Sequence, residues 1–129
     1  MHQCHPAIKS YDVRGPITDV TPSFARNIGQ AFALFTGADR IAVGHDMRPT
    51  SPTLARAFAD GARFAGADIL WLGLASTDEV YFASGALRLH AAVITASHNP
   101  ASDNGIKLVR PGASPVAKET GLEDIHALL

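Results

Sequence analysis

The chain has 129 residues, 47% of them hydrophobic, with eleven Lys and Arg against twelve Asp and Glu. That length fits one compact domain, and the near-neutral charge without a long like-charged run argues against nucleic acid or an anionic membrane surface as partner. The longest apolar stretch, Ile69 to Ala75, is broken by Gly73 and too short to span a bilayer, the first fifteen residues lack a signal-peptide core, and the lone Cys4 excludes an internal disulfide, so a soluble cytoplasmic protein is expected.

The first predicted helix runs from Pro22 to Phe35, with Thr21 as N-cap and Phe24, Ile28, Ala31, Phe32 and Phe35 at helical spacing. Ile41 to Gly44 reads as a short buried strand, and the polar stretch His45 to Thr50 as the loop after it. A second helix is expected with Ser51 as cap, Pro52 in its first position, an apolar face of Leu54, Ala55, Phe58, Ala59, Ala62 and Ala65, and Gly66 as its end. The scheme then repeats. Asp68 to Leu72 is a strand, and a helix from about Thr77 has Ser76 and Glu79 at capping-box spacing. Ala91 to Thr95 is a third strand and Ile106 to Arg110 a fourth, joined by a loop that contains the turn pair Asn104-Gly105. So short a connection favours an antiparallel fourth strand, because a parallel one needs a crossover. Pro111 to Pro115 reads as a linker, and Lys118 to Leu129 as a short terminal helix interrupted by Gly121; a next region would begin near 111–129. The fold class is therefore α/β, a mixed and mainly parallel four-stranded sheet with helices on both faces and the fourth strand antiparallel.

Ligands of such sheets gather beyond the carboxyl ends of the parallel strands. Two polar loops lie there, His45 to Thr50 and Ser97 to Asn104, and in the commonest topologies the strands before them are neighbours. This brings Asp46 and Arg48 toward Ser97. A serine just past a buried strand stands on a rigid base, and His98 and Asn99 add polar groups that suit a phosphate.

Five segments, in order, carry a resemblance: I-K-S-Y-D-V-R-G at 8–15, G-H-D-M-R-P-T-S at 44–51, G-L-A-S-T-D-E-V-Y-F-A-S-G at 73–85, T-A-S-H-N-P at 95–100 and N-G-I-K at 104–107. Together they resemble the first domain of the α-D-phosphohexomutases, the phosphomannomutase/phosphoglucomutase group, and Y-D-V-R-G is closer to the mannose and glucose branch than to the phosphoglucosamine branch. The resemblance implies an isomerase of phosphotransferase type. Ser97, phosphorylated, would donate its phosphoryl group to a mannose or glucose phosphate through a bisphosphorylated sugar. Lys107 would be a general acid/base and Arg14 a supporting cation, with His98, Asn99, Asp46 and Arg48 around the serine loop. The implied cofactor is Mg²⁺, reached from this chain through the phosphate on Ser97. Its other ligands belong to an aspartate-rich D-G-D-G-D-R loop of the family's second domain, and no such loop occurs here. The isolated chain is therefore expected to be incompetent and to rely on the remaining domains of the same enzyme.

Each of these residues also has a plainer role. Arg14 can simply pair with Asp12, Lys107 alternates with Ile106 and Leu108 as a solvent-facing strand residue does, and Asp46 with Arg48 makes an ion pair that fixes a turn. His2, Cys4 and His5 fit a ragged terminus better than a metal site, and His45 and His90 read as structural. Ser97 beside His98 does not make a hydrolase, because adjacent residues seldom reach triad geometry and the G-x-S-x-G elbow is absent. The alternative function is a non-catalytic phosphate-binding or protein-interaction module, with self-association through exposed apolar faces.

Overall fold

Ile41, Ala42 and Val43 are apolar without alternation, the pattern of a strand covered on both faces, and they form the middle of β2, Arg40–His45. The computed structural model describes residues 5–129. Parallel neighbours flank β2: β3 (Asp68–Leu74) at the sheet edge and β4 (His90–Ile94) on the inner side. β5 (Asp103–Arg110) returns antiparallel beside β4, as its short connection requires. The sheet has six strands rather than four. β1 (Val13–Pro16) and β6 (Ser114–Pro115) both pair antiparallel along the outer side of β5, β1 against residues 103–106 and β6 against 109–110. Neither carries a strand signature, because a short edge strand tolerates Arg14, Gly15 and Pro16, and β6 is only two residues long. Within the stretch expected as a linker, Ser114–Pro115 is thus part of the sheet.

Helices cover both faces. α1 (Pro22–Thr36) and α2 (Ser51–Phe64) lie on one face over the larger core, which includes Ile28, Phe32, Leu54, Phe58, Ile41, Ile94 and Ile106. α3 (Thr77–Leu87) covers a smaller cluster on the other face around Val80, Val93 and Val109. α1 and α2 cross with their backbones in contact. An added Cβ at Gly29 would sit 2.1 Å from the Phe58 carbonyl oxygen, and one at Gly61 would sit 1.9 Å from that of Arg26. A short α4 (Leu122–Ala127), after a single 3₁₀ turn at Lys118–Thr120, packs on α1 and buries Leu122 and Ile125 in the main core beside Val116.

The expected caps hold at two helices and fail at one. Thr21 Oγ1 accepts from the Phe24 N–H at 3.1 Å, and Ser76 and Glu79 form the reciprocal capping box with both bonds at 3.0 Å. Ser51, expected as the α2 cap, is instead the first helical residue, with Thr50 before it. Its hydroxyl donates to the Asp46 carboxylate, a charged acceptor that outcompetes a capping role. α2 ends at Phe64, two residues ahead of Gly66.

His5 is not part of a ragged end. Its ring stacks on Phe24 with centroids 4.0 Å apart, Nδ1 accepts from the Ala7 N–H at 3.1 Å, and its own N–H donates to His126 Nε2 at 3.2 Å. His2 and Cys4 lie outside the described residues. His90 packs edge-on to Phe32, and His45 Nδ1 pairs with the Asp46 carbonyl oxygen at 2.8 Å, both structural contacts.

Candidate active site

Because β2 and β4 are parallel neighbours, the loops at their carboxyl ends meet, and the Asp46 N–H donates to the Ile94 carbonyl at 3.0 Å. Arg48 then reaches across. Its Nη1 donates to the carbonyls of Pro100 (2.6 Å) and Asp103 (3.1 Å), and its Nη2 to those of Ser97 (3.0 Å) and Asn99 (2.8 Å). Asp46 holds the same guanidinium, Oδ2 to Nε at 3.3 Å, while its Oδ1 accepts from the Arg48 N–H at 3.0 Å. The ion pair expected within this loop exists, and the planar fork of arginine turns it into a clamp on the serine loop.

Ser97 lies exposed within that clamp with φ at +54°, in the left-handed region that a non-glycine residue occupies at a cost of order 1 kcal/mol. The Ser97 N–H donates to Thr95 Oγ1 at 3.0 Å, and Thr95 is itself anchored by its N–H on the Gly105 carbonyl at 3.0 Å. The backbone is held from both sides while the hydroxyl stands at the surface. His98 is exposed next to it.

Asn99 joins the serine loop to a second cluster. Its Nδ2 donates to Asp103 Oδ2 at 3.0 Å, and its Oδ1 accepts from Arg14 Nη1 at 3.1 Å. Arg14 Nη2 donates to Asp12 Oδ2 at 2.6 Å, and Lys107 Nζ donates to the same oxygen at 3.1 Å. Lys107 alternates with buried Ile106 and Leu108 as expected, yet it faces Asp12 and an open cleft of about 550 Å³ that Lys9, Ser10, Tyr11, Asp12, Arg14 and Lys107 line. Lys107 is linked to the serine loop through Asp12, Arg14 and Asn99. Burial raises the pKa of the nearby Tyr81 phenol, and the negative charge of Asp12 adds to the rise.

Two residues of this site make contacts that the sequence does not assign them, Asn104 with the Arg48 loop and Asp12 with Lys107. Asn104, placed by the sequence in a turn, lies inside β5 and is fully buried; Nδ2 donates to Thr50 Oγ1 (2.8 Å) and Ser51 Oγ (2.9 Å), tying the Arg48 loop to the sheet. Gly105 follows it because an added Cβ there would sit 2.3 Å from the Val13 carbonyl oxygen of β1. An N-G pair has the same letters in a hairpin turn and in a crowded strand, so only the β1 pairing separates the two. Asp12, the other residue, lies in the bend just before β1; it pairs with Arg14 as expected, and its second partner, Lys107, comes from β5.

Among the described residues, no group of three or more His, Cys, Asp or Glu side chains is placed to hold a metal ion. No helix is long and apolar enough to cross a membrane.

An open mixed sheet with helices on both faces, and an exposed serine just past the carboxyl end of a parallel strand, defines an α/β domain whose serine loop is tied through Asn99 to the Arg14, Asp12 and Lys107 cluster. The family model for phosphoglucomutase/phosphomannomutase, alpha/beta/alpha domain I, matches residues 5–128, and the chain belongs to that family. It is 43% identical over 122 residues to a phosphomannomutase of Escherichia coli, covering 93% of this chain and 27% of that protein. A phosphomannomutase of Klebsiella pneumoniae is also 43% identical over 122 residues, with 93% of this chain and 78% of that protein covered. A solved phosphoglucomutase/phosphomannomutase family protein from Burkholderia thailandensis superposes with a TM-score of 0.85 at 31% identity, over 98% of this chain and 30% of that one. The chain thus spans about a quarter of the length of its E. coli relative.

Proposed function

We propose that this chain is the phosphoserine-bearing part of a hexose-phosphate mutase, with Ser97 as the residue that gives and retakes the phosphoryl group. The observation that supports this best is the exposed, left-handed Ser97, clamped through its carbonyl by Arg48 and connected by Asn99 to the Arg14, Asp12 and Lys107 cluster. In the transfer, a sugar hydroxyl attacks phosphorus, a sugar O–P bond forms and the Ser97 O–P bond breaks. The protein's part in such a step is positioning and charge stabilisation. Arg48 fixes where the serine oxygen stands, and Arg14 brings cationic charge to the moving oxygens. Lys107 holds or delivers the proton that passes between the sugar hydroxyl and the serine oxygen. His98 and Asn99 flank the phosphate, Asn99 through its contact with Arg14. Mg²⁺, held through an oxygen of the Ser97 phosphate and by ligands from outside this chain, would neutralise charge on the phosphoryl group.

The substrates on this proposal are mannose or glucose phosphates, and the chain works with further domains. Its isolated form isomerises them little or not at all. The test is a hybrid in which residues 5–128 replace the matching segment of the E. coli relative. Isomerisation of mannose phosphates by the hybrid, lost roughly a thousandfold or more in Ser97→Ala, is the expected result. A hybrid in which Ser97→Ala is as active as its parent overturns the role of Ser97.

A non-catalytic, associating module is the second reading, favoured by one observation. Leu74 and Phe82 are 71% and 75% exposed, and Phe82, Leu72 and Ala75 line one open, mostly apolar depression whose rim carries Asp78 and Glu79. Sedimentation of the isolated chain over a concentration series tests it, and a strictly monomeric chain at high concentration removes it.

A further inference from the structure

We infer that Asp12 is a positioning residue that assembles Arg14 and Lys107 into a single phosphoryl-binding pair; this rests on the phosphoryl-transfer function proposed above. Asp12 is 6% exposed, and its one oxygen Oδ2 accepts from both cations, at 2.6 Å from Arg14 and 3.1 Å from Lys107. The two cations come from different strands. Arg14 lies on β1 and Lys107 on β5, and extending the Val13 to Ile106 register by one residue sets Asp12 opposite Lys107. The backbone that carries this carboxylate is held by a tight turn: the Lys9 N–H donates to the Asp12 main-chain carbonyl at 2.9 Å, and the Arg14 N–H to the Ala7 carbonyl at 2.7 Å.

Two cations converging on one cleft repel each other, and a lone lysine or arginine side chain keeps many rotamers. One buried carboxylate between them removes both difficulties. It consumes one of three ammonium protons of Lys107, and two remain for a ligand. Among the described residues Arg14 Nε is buried without a hydrogen-bond partner, and its guanidinium is held at its two ends by Asp12 and Asn99. The pair keeps a net positive charge and faces the cleft of about 550 Å³.

A positioning carboxylate and a merely opposing charge predict opposite signs. Removing a negative charge from a cationic cleft would by Coulomb attraction alone tighten phosphate. Losing the organiser of the cations weakens it. The experiment is a titration of the full chain with inorganic phosphate, following the side-chain ¹⁵N–¹H signals of Arg14 Nε and Lys107 Nζ, with thermal unfolding of each variant alongside. The expected results are saturable shifts at both residues in the parent, binding at least about fivefold weaker in Asp12→Asn, and partial rescue in Asp12→Glu, which keeps the charge one methylene displaced. Should Asp12→Asn fail to fold, Asp12→Glu carries the test alone, with binding about two- to threefold weaker than the parent. Phosphate binding that is unchanged or tighter in a folded Asp12→Asn, or unchanged in Asp12→Glu, overturns the role of Asp12 while leaving the phosphoryl cleft standing. Absence of any phosphate shift at Arg14 and Lys107 in the parent removes the cleft's phosphoryl function, and the role of Asp12 with it.

Discussion

Arg48 and Ser97 are joined by a hydrogen bond from a guanidinium nitrogen to a backbone carbonyl oxygen at 3.0 Å, and three further carbonyls of the same loop converge on that guanidinium. The side-chain chemistry of Ser97 is left untouched while its backbone is immobilised. Arg48→Lys, which retains the charge but not the planar fork, is expected to lower stability by about 2 kcal/mol, since the partly buried Asn99 and Asp103 carbonyls lose their donor along with two exposed ones. Thermal unfolding with amide hydrogen exchange at residues 97–103 checks this. Unchanged protection in that loop would mean that the clamp carries no weight.

Ser97→Gly is expected to raise stability by about 0.5–1 kcal/mol, because glycine occupies a φ of +54° without a steric penalty. Ser97→Ala should show no such gain. Denaturant unfolding of both variants separates backbone strain from loss of the hydroxyl; equal stabilities for the two would show that the serine is unstrained.

At the helix crossing, Gly29→Ala and Gly61→Ala each force a methyl group onto a neighbouring backbone carbonyl. α1 and α2 must then separate over the main core, and each variant should lose about 3 kcal/mol or more. A shift in the unfolding midpoint of less than a few degrees for either one contradicts the crossing.

Acid should destabilise the domain through two histidines. Burial lowers the pKa of His5 below its ordinary 6.5, with Asp19 opposing and His126 adding to the shift, and burial followed by the charge of Arg110 lowers that of His90. A depressed folded pKa means that the unfolded chain takes up protons first as pH falls. Their stabilising contribution is therefore present above the ordinary histidine value and is lost as pH drops through the folded values. The unfolding midpoint should fall between pH 7.5 and 5, and the His5→Gln, His90→Gln double variant should flatten that fall; a slope identical to the parent's would rule these two groups out.

Much of this molecule was legible from local pattern. The helices at 22–36 and 77–87 announce themselves by spacing and caps, the strands at 40–45 and 90–94 by short buried apolar runs, and the antiparallel return of β5 by the brevity of its connection. The meeting of the Arg48 loop with Ser97 followed from strand adjacency. These features depend on neighbours within a few residues, or on topological rules that few folds break.

What stayed hidden depends on partners far away in the chain. β1 is a strand because β5 supplies hydrogen bonds some ninety positions later, with Val13 opposite Ile106. Asn104-Gly105 is strand rather than turn for the same reason, and Ser51 leaves its expected cap because Asp46 and Asn104 claim its hydroxyl. Asp12 becomes the meeting point of two cations only when Lys107 is laid beside it. The kinds of chemistry available, a serine loop with cations on either side of it in the chain, are a property of the sequence itself. Which cation touches which oxygen was decided by register and burial, because a hydrogen bond is selected by distances of a few ångströms that residue order alone does not specify.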